Sequence, residues 1–129
     1  MTNAQLARDI LRHSDRGDSA GFRALLADDC EWVNPVVKAT GADEITRNVF
    51  GFFAEFPHRD HQLSLVVESG DIVAIEGHWI ATHESGLSVD APFAAILQAR
   101  SGQLVAVRLY LDTASLMAQL ESAPALATA

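Results

Sequence analysis

Cysteine is nearly missing from this 129-residue chain. Cys30 stands alone, so no intrachain disulfide can form, and the sequence suits a reducing, cytoplasmic setting. Its thiol follows Asp28 and Asp29, which discourage a thiolate, and it reads as a small buried side chain rather than a nucleophile. Positive charge is scarce as well. Nine Lys and Arg stand against 17 Asp and Glu, for a formal net charge of -8, and the nine are scattered along the chain. Nucleic-acid binding needs a basic patch, so that class of partner is excluded. No apolar run approaches the roughly 18 to 20 residues of a membrane span, and the opening M-T-N-A-Q-L-A-R-D holds no signal-peptide core. Phosphate-binding glycine loops, zinc-type Cys/His spacing and internal repeats are all lacking, so no cofactor and no metal is implied. What remains is 49% apolar and 20% charged, the composition of a soluble globular protein, at a length that fits one domain over 1–129.

Helical periodicity comes first along the chain. Leu6, Ile10, Leu11 and His13 mark a helix over 3–15, and Asp15-Arg16-Gly17-Asp18 reads as a turn. Ser19 is the expected cap of a second helix running to about Ala27. Asp28-Asp29 interrupts the pattern, and Glu31 to Asn34 reads as a short strand that Pro35 ends. A loop follows over 36–41. Asp43 then caps a third helix over 44–56, carrying Ile45, Val49, Phe52, Phe53 and Phe56, with Pro57 as its stop.

The period then changes to 2. Strands are expected at about 61–68, 72–83, 88–99 and 103–112, with Gly70, Gly86 and Gly102 in the turns between them. Thr113 to Leu120 can add a helical turn or two, leaving 121–129 as a tail. Helices followed by an antiparallel meander make an α+β arrangement.

Residues 22–35, F-R-A-L-L-A-D-D-C-E-W-V-N-P, join a helix, an acidic corner and a short strand ending in a polar residue before proline. This combination resembles the opening of a cone-shaped, cystatin-like α+β family. It contains nuclear transport factor two, ketosteroid isomerases, limonene epoxide hydrolase and SnoaL-like polyketide cyclases. The likeness extends over about 5–120. It implies N-terminal helices packed on a curved antiparallel sheet, a pocket between them, and homodimers formed through the sheet. Ketosteroid isomerases place their proton-abstracting aspartate before the proline, where this chain has Asn34. Their first-helix tyrosine falls on Ile10, and their protonated aspartate after A-P-x falls on Ala94. The resemblance therefore does not extend to standard ketosteroid isomerase chemistry. Epoxide hydrolases and polyketide cyclases use an aspartate on the last strand, in the phase that here holds Val107, Leu109 and Leu111.

Strand alternation selects the side chains that enter the pocket. Pairing 69 with 72 sets 65 opposite 76, 63 opposite 78 and 61 opposite 80. That register gives an inner face of Leu63, Leu65, Glu76, His78, Ile80 and Thr82. In the last hairpin it gives Ala94, Ile96, Val105, Val107, Leu109 and Leu111, and sends Arg108, Tyr110 and Asp112 outward to an interface or the surface. Trp79, Ala81, Phe93, Ala95 and Leu97 then fall on an outer, dimer-forming face.

His78 is the leading candidate for acid/base work, with Glu76 orienting it and Asn34 polarising a substrate oxygen. Ile10, Trp32, Asn48, Phe53, His61, Leu63, Ile80, Ala94 and Leu109 are the candidate substrate-binding residues. Two functions stand open. One is a cofactor-independent enzyme acting on a small apolar, cyclic or polyketide-like molecule. The other is a non-catalytic module of the same fold that holds a small ligand or docks a partner.

Overall fold

The computed structural model describes residues 1–35 and 37–121. Helix α1 (Asn3–Asp15) begins with a reciprocal cap: Thr2 Oγ1 accepts from Gln5 N at 3.1 Å, and Gln5 Oε1 accepts from Thr2 N at 2.7 Å. It buries Leu6, Ala7, Ile10 and Ser14. Helix α2 (Ser19–Ala24) is capped by Asp18, not Ser19, because the Asp18 carboxylate takes Gly21 N at 2.9 Å. The chain becomes extended earlier than the sequence suggests. Strand β1 (Leu26–Val33) includes Asp28 and Asp29, whose exposed side chains precede the buried Cys30. The expected loop supplies a short strand, β2 (Lys38–Thr40), which pairs Ala39 with Trp32. Helix α3 (Ala42–Phe53) starts from Gly41, whose φ of 93° suits only glycine, and stops before Phe56.

The meander is β3 (His58–Ser69), β4 (Ile72–Thr82), β5 (Ser88–Arg100) and β6 (Gln103–Leu111), antiparallel throughout. Strand β1 lies parallel beside β6, so the curled six-stranded sheet is mixed, in the order β2-β1-β6-β5-β4-β3. A last helix, α4 (Thr113–Glu121), is started by Asp112, which accepts from Ser115 N at 3.0 Å. The rest of the expected tail, 122–129, lies outside the described residues. Among those described, no helix is long and apolar enough to cross a membrane.

Two bulges decide which side chains of β3 and β6 face the helices. The expected pairing of Ser69 with Ile72 and Leu65 with Glu76 holds, but Ser64 is then an extra residue, and Leu63 pairs with Gly77 and His61 with Trp79. In the last hairpin Ala99 pairs with Leu104, Val105 is extra, and Leu97 then meets Val107 and Ala95 meets Leu109. Strands β4 and β5 pair without a break, and their inward set is Val73, Ile75, Trp79, Ala81, Val89, Ala91, Phe93, Ala95 and Leu97, all at most 5% exposed, the phase opposite to the expected one. These include the residues expected on a dimer face; they form the core instead. Glu76, His78, Ile80, Thr82, Ala94 and Ile96 occupy the opposite face, and Leu65 is 50% exposed there.

Candidate functional site

Between the helices and the inner sheet face lies a cavity of about 320 Å³, walled mainly by apolar side chains. Helix α3 contributes Ile45, Val49, Phe52 and Phe53, the sheet contributes Trp32, Trp79, Leu109 and Leu111, and Leu116 and Met117 of α4 close one end. Its polar groups are few: Asn34, Asn48, His61, Thr113 and the Trp79 indole.

His61 is the polar residue with a built environment. Alternation on β3 turns Arg59, His61 and Leu63 inward and exposes Asp60 and Gln62. Asp15, the last residue of α1, accepts from His61 N at 2.9 Å and meets His61 Nδ1 at 2.7 Å. Both side chains are largely covered, at 11% and 15% exposure. The bond to Asp15 fixes Nδ1 as the protonated nitrogen of the neutral ring and leaves Nε2 with its lone pair. Nε2 has no hydrogen-bond partner among the described residues. Phe93 and Phe53 meet the ring edge to face, at centroid distances of 5.4 and 6.4 Å.

Arg59 holds this arrangement together. Its guanidinium donates to Ser14 O at 2.9 Å and Phe56 O at 3.0 Å, and lies 4.8 Å from the Phe53 ring centroid. A cation on the last carbonyls of α1 is favourable there and anchors Asp15 against β3. Burial pulls the Arg59 pKa below the usual arginine range, and the Asp15 charge opposes that shift.

Trp79 carries a second feature. Its Nε1 is buried and has no partner among the described residues, within a nest of Phe52, Phe53 and Phe56. An unpaired buried donor costs about 1–3 kcal/mol. Asn34, by contrast, has its Oδ1 engaged by Val37 N at 2.7 Å, which shapes the β1–β2 loop.

The structure thus brings Trp32, Asn34, Asn48, Phe53, His61 and Leu109 around one cavity. It does not bring the other candidates there. His78 and Glu76 lie on the outer face, where His78 is 51% exposed and pairs with Asp90 at 2.7 Å. That placement corrects their expected catalytic position, and Ile80 and Ala94 share the outer face with them. Ile10 is sealed in the core at 1% exposure, and Leu63 faces a separate depression beside α1. Asp15 and Trp79 are the residues that the sequence reading missed. Asp15 looks like one polar residue of a turn, and nothing in sequence ties it to a histidine 46 positions away. Cys30 is wholly buried, and burial, followed by the charges of Asp29 and Glu31, pushes its thiol up to about 12. No group of three or more His, Cys, Asp or Glu is placed to hold a metal among the described residues.

Comparison with known proteins places this geometry. The SnoaL-like domain family matches residues 7–107. An NTF2-like protein from Burkholderia thailandensis superposes with a TM-score of 0.80 at 27% identity, over 93% of this chain and 98% of that one. A SnoaL-like putative polyketide cyclase from Jannaschia sp. CCS1 gives 0.85 at 16% identity, over 95% and 93%. TerC, co-crystallised with polyporic acid, gives 0.83 at 19% identity, over 93% and 98%. At such identities the last two likenesses carry the fold alone. None of the curated proteins matches the chain.

Proposed function

This chain belongs to the SnoaL-like domain family, and on that premise we propose that it moves a proton on a small apolar cyclic molecule held in the cavity. His61 Nε2 is the acid/base group. Asp15 holds the imidazole in the productive tautomer and stabilises the imidazolium that forms. The observation that carries this reading is the Asp15–His61 hydrogen bond in the wall of an otherwise apolar cavity. Few polar groups in an apolar cleft are the usual make-up of a small-molecule site. A polyketide-like ring bearing a carbonyl suits it, because loss of a proton beside that carbonyl is the step a positioned histidine assists, typically by about 10² to 10⁴.

The test uses 2-tetralone, an apolar bicyclic ketone, in D₂O. The wild-type protein is expected to quench tryptophan fluorescence on binding and to accelerate exchange of the protons beside the carbonyl, followed by proton NMR. His61→Ala should abolish the acceleration, Asp15→Asn should reduce it and alter its pH profile, and His78→Ala should change neither. Binding without exchange would favour the ligand-holding module over the enzyme. Neither binding nor exchange would sink the cavity reading.

The reading extends to assembly. The outer sheet face exposes Leu65 at 50%, Val67 at 48% and Tyr110 at 55%, with half-buried Ala94 and Ile96 beside them. We propose that a second copy of the chain covers this face.

A further inference from the structure

Beside the cavity, on the other side of His61, lies an open depression of about 480 Å³ between α1 and β3. Its lining gathers Arg8, Arg12, Arg16 and Arg59, four of the nine basic residues in the chain. Along the sequence these residues look scattered. On a helix, spacings of four place Arg8, Arg12 and Arg16 along one side, and like charges so arranged repel by a few tenths of a kcal/mol per pair. We infer that this depression binds an oxyanion, carboxylate or phosphate.

Two of the four cations are engaged by the protein itself. Arg12 pairs with Asp9 at 3.0 Å in an exposed contact. Arg59 is committed to the backbone of Ser14 and Phe56. Arg8 and Arg16 have no side-chain partner among the described residues. Two carboxylates share the lining, Asp60 and Asp15, the latter taking two hydrogen bonds from His61, and with Asp9 on Arg12 they still leave the four cations in excess. A local excess of positive charge on a chain of net charge -8 is a focused field, which concentrates small anions at one place. Guanidinium forks match the planar or tetrahedral oxygens of carboxylate and phosphate.

Two sources can supply such an oxyanion: a free small anion, or an acid group on the molecule that enters the cavity. His61 lines both the depression and the cavity, so a group held by the arginines sits beside the imidazole in either case. Only the second source rests on the reading of the cavity given above.

The experiment titrates the full chain with inorganic phosphate at low ionic strength, followed by amide NMR. Saturable shifts confined to 8–16 and 59–63 are expected. The Arg8→Gln/Arg16→Gln variant should weaken binding roughly tenfold or more, since two charge-assisted contacts are lost. Both side chains are exposed, so the variant should keep the wild-type unfolding midpoint. An Arg47→Gln/Arg100→Gln control, which removes two charges elsewhere, should bind as wild type does. Shifts that chloride reproduces, or that the first variant leaves unchanged, overturn the proposal. A second titration with 2-naphthyl phosphate separates the sources. Tighter binding with tryptophan quenching marks an acid group on the cavity ligand, and equal affinity with silent tryptophans marks a free anion. Failure of 2-tetralone exchange would leave the phosphate result standing.

Discussion

Gly77→Ala is expected to damage both the fold and the site, and the size of the damage follows from one contact. A Cβ built on Gly77 lies 2.1 Å from Gln62 O and 3.0 Å from Gln62 C and Leu63 Cα, all backbone atoms of β3. Restoring an ordinary contact requires β3 to retreat by roughly 1 Å at the point where Ser64 bulges out of the ladder. Neighbouring strands cannot separate that far without weakening the hydrogen bonds on either side, at about 1 kcal/mol each. Overpacking adds a further 1–3 kcal/mol or so, for a total loss of about 3–5 kcal/mol. A domain has only about 5–15 kcal/mol to lose. Urea unfolding measures the loss directly, and 2-tetralone exchange should fall as well, because His61 pairs with Trp79 only two rungs from the clash. Gly51→Ala is the matched control. Its Cβ would meet nothing within 4 Å, and it lies inside α3, so alanine there should stabilise by about 0.5–1 kcal/mol. If the two substitutions gave similar small effects, the close approach at the bulge would not exist as described.

Two further outcomes are expected. Cys30, with its thiol raised to about 12, holds its proton more tightly when folded than when unfolded, so its contribution is complete below the unfolded value near 8.5 and declines as pH rises towards 12. The native protein should resist Ellman's reagent at pH 8 and react once unfolded in urea; rapid native labelling would contradict the burial. Sedimentation at micromolar concentration should give twice the 13.9 kDa chain mass, falling to one chain in Leu65→Glu/Val67→Glu, and a monomeric wild type would refute pairing through the outer face.

Much of the fold is legible in the sequence because it depends on local patterns. The apolar stripe of α1, the aromatic stripe of α3 and the glycines between strands each specify an element through nearest neighbours alone. The parallel contact between β1 and β6 is not local, and nothing in the stretch from Leu26 to Val33 announces its partner. Bulges are equally silent. Ser64 and Val105 are ordinary strand residues by composition, yet each inserts one position into a ladder and reverses the phase beyond it. The register read from each turn holds up to the bulge and fails past it. His61 reaches the cavity because of the bulge, whereas His78 faces outward together with the correctly paired Glu76, because the inward face of the unbroken β4 is the one that carries Ile75, Trp79 and Ala81.

The site depends on the same inserted residue. With the phase of β4 set by buried Trp79 and Ala81, an unbulged β3 would keep the pairing of Leu65 with Glu76 through to its start. Gln62 would then stand opposite Trp79 and face the cavity, and His61 would stand opposite Ile80 and face away. An amide has no useful basicity, so the cavity would be left with the apolar character of a simple ligand holder. Asp15 would have no imidazole to orient. Arg59 would also turn with the strand and lose the α1 carbonyl of Ser14, loosening the helix end that carries Asp15. The chemistry proposed for this cavity therefore comes from a backbone irregularity at Ser64, accommodated by a glycine opposite, more than from the choice of any one polar side chain.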